Sequence, residues 1–532
     1  MRRNGSKLKS MSFVLVLVFI MVSLLSACSS SGSSGSGNQA SGNASPSLST
    51  GDSAQSTGDV SAAPMELSIF VDHTWWPHKD WSGKIPEAIT KATGVKLNVT
   101  VATDSKQLPL MLASGDLPDL VFTSDWKRMS DPKISNAWSD LISKYVPNME
   151  VDPIRVALNT VGDGKYYTIR SFYSTPQEWQ DHQPYALLMG PDLSVRKDIL
   201  EELGNPPINS FDDLLNLFGM VKKKYPDMTP LVLNPFWTNQ FFAMNYGAIT
   251  SNFYDNNGKL EYYLRQPKLL KTYEFINQLY REGYVTAENF AYKDEAQTQQ
   301  MMLDGKGFAY TWASGGADTL KAASQKYEFV NIAEPLSPDM EYYDTSSGWS
   351  GLFVTNNNKH LQETMNFIQF LYSEKGQQLM LWGIEGEDWD MDPKGYPVLN
   401  YDSHNVDLVT KMGVGRWNLV GSAVYEQLRS YNPDSEGTKA GQVLMKYTKF
   451  NPALSLVVPD QETDQFVIKN NIDNMVKNEI TKVYLAKTKE AADKAYQDMI
   501  AKADKIGMKD LEAWANQEYP AIQARIAKAE GQ

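Results

Sequence analysis

Cysteine is nearly absent from this chain: Cys28 is the only one in 532 residues. One thiol excludes a disulfide framework and a cysteine-based metal site, so a folded body must be held by its apolar core. Histidine is also scarce, with five residues, which leaves little material for histidine-based catalysis. His73 and His78 share a loop but have no clear third ligand beside them, so they read as polar loop residues. Cationic excess is missing too: the formal charge of −13 argues against nucleic acid or an anionic membrane surface as partner. No Gly-x-Ser-x-Gly elbow and no His-Glu-x-x-His helix occurs. The apolar run Met11–Leu25 covers about 15 residues, short of the ~20 that cross a bilayer as a helix.

That run has a recognisable setting. Arg2, Arg3, Lys7 and Lys9 precede it, and Leu25-Ser26-Ala27-Cys28 follows. Charge, then a short apolar core, then small residues is the layout of a secretory signal. The small residues before Cys28 resemble a bacterial lipobox, which implies cleavage after Ala27 and a lipid on Cys28. Two acyl chains anchor stably through buried CH₂ groups. The alternative is an ordinary secretory signal with a chance cysteine. Residues 1–27 are therefore read as signal peptide, and the mature protein is expected on the outer face of the cell membrane. Residues 28–64 are Ser, Gly, Asn and Ala with almost no large apolar side chain, too polar to fold. A flexible coil of ~35 residues spans roughly 30–35 Å and would hold a globular body off the membrane.

The rest of the chain is ordinary globular material. Glu66–Val71, Val95–Val101 and Leu120–Phe122 read as strands, and Ile85–Thr93 and Lys106–Ala113 as helices between them, the first ended by Gly94. This alternation predicts a mostly parallel sheet with covering helices, whose ligands bind beyond the carboxyl ends of the strands. Asp255-Asn256-Asn257-Gly258 reads as a hairpin turn. Thirteen Trp and 27 Tyr exceed what a core needs; such rings offer broad apolar faces with a polar tip and suit stacking on sugars.

Ala113-Ser114-Gly115-Asp116-Leu117-Pro118-Asp119-Leu120-Val121 resembles the segment that marks family 1 extracellular solute-binding proteins of ABC transporters. Gly115 and Asp116 suit a helix exit, and Pro118 the entry to a strand. Further stretches carry the resemblance in order: Gly162–Ile169, similar to the family's hairpin; Leu193–Leu200, a strand, then Arg-Lys-Asp, then a helix; Pro206–Leu215, with Ser210 as N-cap; and Phe308–Trp312. Gly383–Trp389 and the helical tail from Asp460 resemble the oligosaccharide-type lipoproteins of Gram-positive soil bacteria. One departure stands out. Where some relatives carry a calcium loop, Lys222–Pro230 supplies a single carboxylate, whereas calcium takes six to eight oxygens; no metal or other cofactor is expected.

The resemblance implies an α/β fold of two lobes of the type II periplasmic-binding-protein kind, hinged, with a ligand cleft between them. The expected N-terminal lobe is 65–180 with 340–400, and the C-terminal lobe 181–339 with 401–532, including the tail. Crossings are placed near Ser174–Ala186, Glu334–Tyr343 and within Met391–Asp407. The implied ligand is an oligosaccharide delivered by a monomer to the permease subunits of an ABC importer.

Candidate ligand contacts follow. Trp312 matches the strand-end tryptophan that stacks on sugar in maltodextrin-binding relatives, and Trp237 lies where the family places stacking aromatics. Asp125 and Trp126 follow the third strand; Asp125 is either a sugar acceptor or a helix cap. Trp75 and Trp76 are adjacent in a loop and cannot both enter one core. Trp349 begins a returning strand. Arg170 would pair with a uronate or hydroxyls, or else form a structural ion pair. Glu385 and Trp417 complete the set.

Two other readings stay open. A secreted glycan-active enzyme would need two carboxylates ~5–10 Å apart across the scissile bond, and with 63 acidic residues such pairs carry no information. A peptide- or siderophore-binding lipoprotein would share the signal, the linker and the cleft.

Overall fold

The computed structural model describes residues 63–531 apart from 186, 188, 189, 293, 294, 325, 404, 416 and 462. The signal, Cys28 and linker assignments lie outside the described residues. Among the described residues no helix is long and apolar enough to cross a membrane.

Two four-stranded sheets organise the molecule. In the first, β1 (Met65–Val71) pairs in parallel with β2 (Val95–Val101) and β3 (Leu120–Thr123). Leu67, Ile69 and Val71 pack into the main core, whereas Phe70 joins a second cluster with Val121 and Phe353 on the opposite face. A sheet covered on both faces is what parallel strands require. The connecting helices are Lys84–Thr93 and Gln107–Ser114, closed by Gly94 and Gly115 in the left-handed conformation.

The second sheet is built from β4 (Pro191–Arg196), β5 (Thr229–Val232), β8 (Gly307–Ala313) and β9 (Phe329–Asn331), in the order β5-β8-β4-β9. β5 and β8 run parallel, while β4 is antiparallel to both β8 and β9. Between β5 and β8 lies the hairpin β6 (Phe253–Asn256) and β7 (Lys259–Tyr262), whose turn places Asn257 and Gly258 at φ 55° and 87°. Beyond β9, β10 (Tyr342–Asp344) leads to β11 (Gly351–Val354), which returns to the first sheet antiparallel to β3. The chain thus leaves the first sheet after β3 and rejoins it at β11.

Three helices, Asp464–Tyr484, Lys489–Ile506 and Met508–Ala529, form the tail. They seal the free side of β7. Asn516 exchanges two 2.8 Å hydrogen bonds with the Leu260 backbone, and Arg265 bridges Asp504 and Glu512 at 2.5 Å each.

Candidate ligand-binding site

The registers decide which loops meet. Gly351 pairs with Thr123, so the start of β11 lies on the same edge of the first sheet as the ends of β1 and β3. The loop after Val71, the Ser124–Trp126 turn and the Gly348–Ser350 turn therefore share that edge. There the His73 ring lies 4.7 Å from Trp349 and 5.5 Å from Trp75, and Trp75 lies 5.7 Å from Trp349, centroid to centroid. The adjacent tryptophans divide: Trp75 is 58% exposed and Trp76 is buried. Trp349 keeps 37% of its surface open. His73 Nε2 meets Ser350 Oγ at 2.8 Å, and burial pulls the imidazole down to about 4.

Trp349 is held by backbone pairing. Its N–H donates to Ser171 O, and the Ser171 N–H donates to Ser350 O. Gly348, at φ 88°, allows this approach, because a β-carbon there would stand 2.6 Å from Arg170 Cβ. Arg170 itself is buried. Its guanidinium donates to Leu158 O and Asn159 Oδ1 and lies over the Trp126 ring. Asp125 occupies the N-cap position of the short helix Trp126–Met129 but makes no capping bond. Its carboxylate instead pairs with Arg128 at 2.5 Å and accepts from Gln461 at 3.2 Å.

At the second sheet, Trp312 is the penultimate residue of β8 and Trp237 lies in the helix Pro235–Tyr246 that follows β5. Because β5 and β8 are parallel, both sit at one edge. Trp237 Nε1 donates to Glu295 Oε1 and Trp312 Nε1 to Glu295 Oε2, each at 2.9 Å. Both rings are half-buried. Phe236, 60% exposed, meets Trp237 edge-on at 5.1 Å. Of the remaining two expected residues, Trp417 backs the first group and Glu385 lies apart. Trp417 is fully buried, packed 4.8 Å from Trp81 and 6.3 Å from Trp76. Glu385 is exposed in the turn before Trp389.

A cavity of about 370 Å³ lies between the segment that follows β8 and the segments around Phe172, Tyr185 and 426–438. Ser314, Gly315 and Asp318, which follow β8, line it together with Phe172, Tyr185, Arg429 and Tyr431. Phe172 has a left-handed backbone, φ 60°, and donates to Gly421 O; strain of this kind gathers at ligand sites and hinges. Tyr185, Tyr396 and Tyr431 form a cluster with centroids 4.6–5.1 Å apart. Arg429 pairs with Glu426 at 2.6 Å, yet Arg429 Nε and Glu426 Oε2 stay buried without a hydrogen-bond partner. Asp318 accepts from the Glu436 and Gly437 N–H groups at the start of the helix Glu436–Lys446. None of these cavity residues, and not Glu295, carried a signal in the sequence beyond the general richness in Tyr.

Two α/β lobes, each with partly exposed aromatics at a sheet edge, are the architecture of a two-lobe binding protein. The bacterial extracellular solute-binding protein model matches residues 75–378, more than half of the chain, and the chain belongs to that family. Similar solved structures include the alginate-binding protein AlgQ2 without calcium ion, with TM-score 0.63 and 19% identity, over 86% of this chain and 98% of that one. An HMO-binding, ABC-transporter-associated solute-binding protein of Bifidobacterium longum infantis gives 0.65 and 17%, over 86% and 99%. FusA of S. pneumoniae, an ABC-transporter substrate-binding protein solved with kestose, also gives 0.65 and 17%, over 86% and 99%. No curated protein sequence matches the chain significantly.

Proposed function

We propose that this protein captures an oligosaccharide between its lobes and hands it to an ABC importer. The observation that carries the reading is the presence of open aromatic faces at both sheet edges: Trp75 and Trp349 on the first, Phe236, Trp237 and Trp312 on the second. Sugar rings present flat C–H faces ringed by hydroxyls, and aromatic faces flanked by carboxylates and amides match both. Structural neighbours that bind alginate, HMO and kestose support the same class. Ligand touching both lobes favours the closed form by its differential affinity for that form, and closure about the connecting segments follows.

In this reading residues 1–27 are the signal, Cys28 carries the lipid, 28–64 are the tether, and the protein acts outside the cell as a monomer without cofactor or catalysis. The lobes are 65–180 with 340–400, and 181–339 with 401–532. Asp125 and Trp126 face the ligand on the first lobe's side, supported from behind by the buried Arg170, Trp76 and Trp417; Glu385 stands away from them as an exposed contact for a longer glycan.

A thermal-shift screen tests this with kestose, Man5GlcNAc and alginate oligosaccharides, and with tripeptides as controls. Ligand at 100 times its Kd adds ~2.7 kcal/mol to the folded state. A shift with one glycan class, and glycan recovered uncut, is the expected result. A shift with peptides alone refutes the carbohydrate assignment.

A further inference from the structure

We infer that Glu295 is a positioning residue that locks Trp237 and Trp312 into one stacking platform. The inference rests on the oligosaccharide reading above and names how that site is prepared. The two tryptophans come from different elements, one after β5 and one at the end of β8, and nothing in their own backbones fixes the angle between the rings. Glu295 supplies the link. It is the first residue of the helix Glu295–Leu303. Its two oxygens each accept one indole N–H at 2.9 Å, and Oε1 also receives Asn234 Nδ2 at 3.3 Å. Asn234 in turn accepts from the Phe236 and Trp237 N–H groups through Oδ1, so it orients the same turn.

The chemistry has a direction. An indole has one hydrogen-bonding atom, a donor. With both donors spent on Glu295, what the two rings offer a ligand is their faces. A charged acceptor makes stronger bonds than a neutral one, so the clamp persists although Glu295 is exposed. A platform ordered before binding avoids the loss of side-chain freedom at the moment of binding.

Glutamine cannot repeat the arrangement. Its one carbonyl oxygen can stand at only one of the two acceptor positions, while its amide N–H₂ would face the indole donor at the other. Glu295→Ala removes both links. Two free tryptophans must be ordered at the moment of binding, so Glu295→Ala should weaken affinity roughly tenfold, with Glu295→Gln between it and wild type.

The test is a double-mutant cycle on the full chain, titrated with kestose, Man5GlcNAc and alginate oligosaccharides. Glu295→Ala should weaken binding in the wild-type background and leave it unchanged in a Trp237→Ala/Trp312→Ala background. An equal loss in both backgrounds would show that Glu295 acts on the sugar directly and would overturn the inference, as would no loss in either. A second readout needs no sugar: with ¹⁵N-labelled tryptophan, Glu295→Gln should move two indole N–H resonances of the free protein. If wild type binds no glycan in the panel, the oligosaccharide reading fails, and this spectrum alone decides the clamp. Two moved resonances uphold it; an unchanged spectrum overturns it.

Discussion

The Arg170 guanidinium lies 4.4 Å from the centre of the Trp126 ring. Its hydrogen-bond partners are Leu158 O at 2.8 Å and Asn159 Oδ1 at 3.1 Å, not a carboxylate. Burial pulls its pKa down to about 10, so it stays charged at neutral pH. This is a buried cation held by oxygen dipoles and an aromatic face, and it underpins the turn that carries Trp349.

That arrangement predicts the cost of losing it. Arg170→Met takes the donor from Leu158 O and one of two from Asn159 Oδ1, which keeps the Arg170 backbone N–H, and should lower stability by ~1–3 kcal/mol. Arg170→Lys keeps the charge but loses the planar fork and the ring stacking, and should also be destabilising. Urea unfolding measures both. Unchanged stability with lost glycan binding would instead make Arg170 a ligand contact.

His73 predicts a pH dependence. Its ring is held neutral by burial, with a pKa near 4 against 6.5 for a free imidazole. Between these values the unfolded chain binds the proton and the folded chain does not, so stability falls as pH drops from 6.5 toward 4. His73→Gln should remove that component. The check is Tm against pH for both proteins; parallel curves would contradict the prediction.

Asp192 predicts the opposite slope. It is buried on β4 opposite Trp312, and neither carboxylate oxygen has a good hydrogen-bond partner. Burial raises its pKa well above 3.8, and the Gly315 and Gly316 N–H groups offset only part of that. The folded state therefore holds a proton that the unfolded state releases, and stability declines as pH rises above 3.8. Asp192→Asn should match wild type near pH 4 and become the more stable protein toward neutrality. Denaturant midpoints at several pH values test this, and an Asn variant less stable at pH 7 would contradict it.

Local signals were legible where local chemistry decided the structure. The period-two run Val95–Val101 is β2 to the residue, Gly94 and Gly115 end their helices, Ser210 caps its helix through Asp213 N–H, and Asn257-Gly258 makes the hairpin. Long-range pairing was not legible. The Gly162–Ile169 stretch, similar in sequence to the family's hairpin, closes with a single bridge between Thr160 and Tyr166. The backbone after it pairs instead with Ser350 and Gly421. Trp349 likewise precedes β11 rather than beginning it. Glu295 carries no local mark, because its role exists only once β5 and β8 bring two tryptophans to one edge. Phe172 is similar: no periodicity announces a left-handed phenylalanine.

The central claim is that one sugar chain is gripped from both sheet edges at once. Calorimetric titration with the glycan panel, comparing wild type with Trp312→Ala and Trp349→Ala, tests it most directly. The account predicts that each substitution alone weakens the same glycan by about 10–30-fold, as for a central aromatic contact, with Tm unchanged. Full affinity after either substitution would contradict it, because the ligand would then be held without that lobe's aromatic face.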